Sequence, residues 1–70
     1  MPKFYSSNHI IKTLERKCFC FISQKGSHAK YYSEAFKNTV IIPTERKQIP
    51  FGTFKSILRQ SGLKKEDFEK

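Results

Sequence analysis

The stretch FCFISQ-KGS-HAKYYS does most to restrict what this chain can fold into. Two runs rich in aromatic and β-forming residues, 19–24 and 28–33, flank the turn Lys25-Gly26-Ser27, which predicts an antiparallel hairpin. A third such run, TVII at 39–42, follows a looser connection over 34–38, in which Asn38 is the best turn former. Pro43 stops it, because proline cannot donate to a sheet ladder. Three antiparallel strands need apolar cover on one face, and only the flanking segments can supply it.

Those segments read as helices. Over 6–17, Ile10, Leu14 and Cys18 recur at i, i+4 and i+8 with Ile11 beside them, while Asn8, Lys12, Glu15 and Arg16 are polar. Ser6 or Ser7 can cap this helix, and with Ser6 as cap, Tyr5 and Ile10 stand where a hydrophobic staple closes. After the polar loop 44–48, Gly52-Thr53 predicts a second helix with Thr53 as N-cap. Phe54, Ile57 and Leu58 form its apolar face, and Gly62 follows as the C′ glycine. A short last helix over 64–69 carries Glu66 and Asp67 in its first turn, where they suit the dipole, and Phe68 docks it on the core. The expected fold is α+β: a two-layer α-β-β-β-α single domain, helices on one face of a three-stranded antiparallel sheet and the other face free. Strand parity stays open, since FCFI is apolar on both sides.

At 70 residues the chain buries only about 60% of its unfolded surface, enough for one thin core. Seven Phe and three Tyr carry much of it. No apolar run approaches the ~20 residues of a membrane span, and MPKFYSSNHI lacks an apolar signal core, so no membrane association and a cytoplasmic location are expected. Net charge is +8, from 14 basic against 6 acidic residues spread along the chain, which implies a polyanionic partner. Cys18 and Cys20 lie two apart, wrong for a comfortable disulfide and for a zinc or redox CxxC, and read as reduced thiols. Glu15, Glu34 and Glu45 stand apart, so neither a metal site nor any other cofactor is expected.

His28 begins the second strand directly after the turn, where acid–base chemistry, ligand contact and simple strand initiation all remain open. Lys25 and Lys30 flank it, Lys30 on the same strand face, and the N–H groups of Gly26 and Ser27 are candidate donors to a phosphate. Lys55 and Arg59, i and i+4 on the second helix, form a basic stripe suited to RNA, or an ordinary solvated face. Tyr31 and Tyr32 point to opposite sheet faces, one to pack inside and the other, Tyr32, to stack on a base. His9, in a first helical turn, reads as solvated.

The pieces IIKTLERKCF, QKGSH with HAKYY, VIIP and IPFGTFKSILRQSGLKKEDF, in that order, resemble the HicA family of mRNA interferase toxins. That family's fold is similar to a double-stranded-RNA-binding domain. KGSH alone is a weak signal; joined to GT-x-x-x-IL-x-Q-x-GL about 25 residues on, it is a strong one. The resemblance implies that His28 is the catalytic residue and Gly26 the turn glycine. It further implies an endoribonuclease that cleaves mRNA and is held inactive by a HicB-type antitoxin encoded beside it. An acidic face of such a partner is expected over the hairpin, toward Lys25, Lys30 or Lys55. Three positions depart from the family pattern: Cys18 replaces a glycine after the first helix, Lys64 a Ser or Thr cap, and Thr44-Glu45-Arg46 a segment that often holds a second histidine. The rival readings are a small RNA-binding module that does not cut, and a DNA-binding regulator, for which no recognition helix is evident.

Overall fold

The computed structural model describes residues 4–69. The order is α1 (Ser7–Arg16), β1 (Cys20–Lys25), β2 (His28–Ser33), β3 (Asn38–Pro43), α2 (Phe51–Ser61) and a terminal 3₁₀ turn (Lys65–Phe68). The strands form one antiparallel sheet in the order β1-β2-β3, so the expected α+β architecture is observed. Ala29, Tyr31 and Ser33 of β2 and Val40 and Ile42 of β3 are buried, and they settle the open question of parity. Under them lie Ile10 and Leu14 of α1, Phe54 and Ile57 of α2, and Phe68. His28, Lys30 and Tyr32 therefore share the opposite face with Ile41, the cross-strand partner of Lys30.

Ser6 caps α1, its hydroxyl accepting from His9 N–H at 3.1 Å, and Tyr5 and Ile10 are both buried as a staple requires. At the other end the expected apolar position of Cys18 is not realised. Cys18 lies beyond the helix, exposed, with φ 71°, and Phe19 takes the buried place. Phe19 N–H reaches Leu14 C=O at 2.9 Å and Cys18 N–H reaches Glu15 C=O at 3.3 Å, a Schellman ending with cysteine where glycine is usual.

Two further expectations are corrected. Helix α2 begins at Phe51 with Pro50 as N-cap and no side-chain cap, so Thr53 lies inside the first turn; Phe54 N–H to Pro50 C=O, 2.9 Å, closes it. In the β2–β3 connection the left-handed residue is Lys37, φ 59°, not Asn38. Asn38 instead starts β3 and its amide donates to Ser61 C=O at 3.1 Å. Gly62 is left-handed as predicted, φ 75°, which strains any other residue, and a Cβ there would lie 3.2 Å from the Asn38 amide nitrogen, a close contact. Lys64, in place of a hydroxyl cap, is served by Asp67, whose carboxylate accepts Lys64 N–H at 2.9 Å and pairs with Lys17 at 3.3 Å.

Candidate functional site

The β1–β2 loop is two residues long, and positive φ is confined to Gly26 (60°), which suits a type II′ hairpin. The loop delivers His28 to the first position of the central strand. Its backbone pairs with Lys25 on one side and Pro43 on the other, and Thr44 N–H donates to Ser27 C=O at 2.7 Å just beyond. Though next to a turn, His28 is thus mounted between two neighbouring strands. Its side chain is exposed and hydrogen-bonds to no described residue.

Two hollows meet at the imidazole. One, about 310 Å³, lies between the outer sheet face and α2 and is lined by His28, Ile41, Pro43, Arg46, Thr53, Ser56 and Gln60 among others. The second, about 230 Å³, is lined by Ser23, Lys25, His28, Ala29, Lys30 and Ile41. Of the residues singled out from sequence, Lys25 and Lys30 are therefore brought beside His28. Tyr32 lies on the same face, half-buried, while Tyr31 packs inside at 6% exposure. Burial pushes the Tyr31 hydroxyl pKa up, with the Glu15 charge adding to it.

Lys55 and Arg59 are exposed on α2 but line neither hollow; at ~100° per residue they project from a different side of the helix than Thr53, Ser56 and Gln60. Lys55 Nζ lies 5.6 Å from the Phe51 ring centre. Sequence reasoning missed Arg46 and Gln60. Ser7 donates to Pro43 C=O (2.6 Å) and accepts Arg46 N–H (3.0 Å), while Ser7 N–H bonds Arg46 C=O (2.9 Å), so α1 holds the Arg46 loop against the cleft. Gln60 accepts Ile41 N–H from the rim of β3 at 3.1 Å. No local pattern signals either contact, since each spans 19 or more positions.

His9 is corrected from a solvated role. Its ring stacks on Tyr5 (4.7 Å between centres, 9° between planes), and its Nε2 bonds Phe68 C=O. It latches α1 to the terminal turn and lines neither hollow at His28. Among the described residues no three His, Cys, Asp or Glu side chains converge in a metal-binding arrangement, and no helix is long and apolar enough to cross a membrane.

In chemical terms, an exposed imidazole meets cations on one side and hydroxyl, amide and guanidinium donors on the other. That combination suits a phosphate-bearing ligand and proton transfer beside it. No curated protein matches the chain. The family profile described as the HicA toxin of bacterial toxin–antitoxin systems matches residues 7–63 of 70, taking in α1, the whole sheet, the cleft and α2. On that match, the chain belongs to the HicA toxin family.

Proposed function

We propose that the chain is a metal-independent endoribonuclease that cleaves mRNA in the cytoplasm with His28 as its proton-transfer group, and that a HicB-type antitoxin holds it inactive. The observation that carries this reading is the placement of His28, exposed on the central strand between two hollows that bear Lys25 and Lys30 on one side and Arg46 on the other.

RNA supplies its own nucleophile, the 2′-OH. Its proton is taken by a base, its oxygen attacks phosphorus, and the 5′-oxygen leaves with a proton. An imidazole can serve at either proton step near neutral pH, worth roughly 10²–10⁴-fold. Lys25, Lys30 and Arg46 are suited to the charge that grows on the phosphate, as are the N–H groups of Gly26 and Ser27. Tyr32 offers a stacking surface on the same face, and Lys55 with Arg59 offers a more distant phosphate track.

One observation favours a second reading, a binding module that does not cut: no described residue orients the imidazole through a hydrogen bond. Labelled RNA separates the two. The nuclease reading expects new ends bearing 2′,3′-cyclic phosphate and 5′-hydroxyl, undiminished by EDTA and absent when the scissile nucleotide is 2′-deoxy. Activity lost in EDTA and restored by Mg²⁺ would sink the histidine mechanism; tight binding without any cleavage would establish the binder.

A further inference from the structure

The two rims of the sheet are finished differently. Along β3 the rim is occupied: Gln60 of α2 takes Ile41 N–H, and Asn38 reaches Ser61 at the end of the same helix. Along β1 it is open. All six residues of β1 are exposed, and among the described residues their backbone makes no hydrogen bond beyond the β2 ladder. In an antiparallel pair alternate residues turn N–H and C=O away from the partner, so β1 presents an unfilled ladder.

The open strand is also apolar where solvent-facing strands are usually polar. Phe21 is 54% and Ile22 53% exposed, at the irregularity between Phe21 and Ser23. The Phe21 ring makes an edge contact with Tyr31, 5.7 Å between centres. Phe36, 49% exposed, stacks on Phe19 just before the strand begins, at 5.9 Å.

We infer that β1 is the docking edge for an extended strand of the antitoxin, which adds to the sheet as a fourth strand and carries acidic residues toward Lys25. Membership of a toxin–antitoxin family implies an antitoxin, which the proposed function takes to be a HicB-type protein. Charge decides between that partner and a second copy: joining two β1 strands across a two-fold axis brings two +8 chains together, whereas an acidic chain is attracted. Main-chain bonds to β1 give the affinity, and apolar side chains over Phe21 and Ile22 give the register.

The position has a regulatory consequence that rests on the nuclease reading. Neighbouring strands lie about 4.8 Å apart, so an added strand runs roughly 10 Å from the strand that carries His28. Its outward side chains pass beside Ser23 and Lys25, which line the hollow at His28. A carboxylate placed there competes with an RNA phosphate for Lys25 and Lys30.

The test uses the full chain and the purified product of the adjacent open reading frame as the partner. Hydrogen exchange on the wild-type pair is expected to show slowed amides within 20–25. The double variant Phe21→Lys, Ile22→Lys, which arms the edge with charge, is expected to bind that partner at least about 30-fold more weakly. Lys65→Ala, an exposed change on the terminal 3₁₀ turn, is expected to bind as wild type does. Unslowed β1 amides in the complex overturn the proposal, even if the double variant is misfolded, and so does unchanged affinity of a folded double variant. Slowing of β1 with concentration of the toxin alone would assign the edge to a second copy, and slowing with RNA alone would assign it to RNA; either overturns it. Wild-type toxin that never cuts RNA would defeat the nuclease reading while leaving β1 protection to stand or fall separately.

Discussion

The two histidines show how one side chain takes opposite employment in a small domain. His9 is half-buried, stacked on Tyr5 and bonded to Phe68 C=O; its ring ties the two ends of the described chain together. His28 sits on the central strand, paired on both sides, with its ring exposed and bonded to no described residue. Both lie beside a structural start, a helix cap in one case and a hairpin turn in the other. The difference comes from what the rest of the fold brings near. An imidazole with its ring nitrogen and face engaged is fixed in role, whereas one with free nitrogens between two hollows can exchange protons with a ligand.

The largest effect expected from breaking this comparison is on catalysis. His28→Ala should lower RNA cleavage by at least ~10²-fold, while an exposed site should cost under about 1 kcal/mol of stability. His28→Gln should fail equally, since it cannot shuttle a proton. Cleavage rates on the folded variants, beside their melting curves, decide the matter. Near wild-type cutting by a folded His28→Ala protein would remove the difference in role.

The converse substitution acts on the fold. His9→Ala loses a ring stack and a hydrogen bond, together about 1–3 kcal/mol. At roughly 4–8 °C per kcal/mol in a domain of this size, thermal unfolding should show it plainly. Cleavage per folded molecule should stay at the wild-type level. A melting temperature within a degree of wild type would mean that the latch contributes nothing.

The smallest effect sharpens the comparison without touching either ring. Cys18 holds φ 71°, which costs a non-glycine residue about 1–2 kcal/mol, and glycine gives back part of that gain through its freer unfolded chain. Cys18→Gly should therefore stabilise by about 0.5–1 kcal/mol in denaturant unfolding, with cleavage unchanged. Destabilisation would show that the Cys18 side chain makes a contribution its exposed position hides.

Most elements were legible because local chemistry writes them. Ser6 capping α1, Gly26 in the hairpin, Pro43 closing β3 and Gly62 ending α2 act within a few residues. The errors arose where two local rules competed. Thr53 is a good cap residue, but the helix begins with Pro50 as N-cap, so Phe51 and Gly52 join Thr53 in the first turn. Cys18 fits the apolar period of α1, yet the helix ends before it because burying Phe19 against the core is worth more.

By itself the sequence determined the order of elements, the hairpin that presents His28 and the family signature across KGSH and the α2 segment. These rest on turn geometry, periodicity and spacing, all short-range. Only the tertiary structure decided which sheet face was inner, because FCFI is apolar on both sides and parity follows from what β2 and β3 bury. It also decided that Arg46 and Gln60 join the cleft, that Lys55 and Arg59 do not, and that His9 latches while β1 stays open. Each of those outcomes depends on contacts between residues far apart in the chain. Their energies exist only once the layers pack, so no window of sequence contains them.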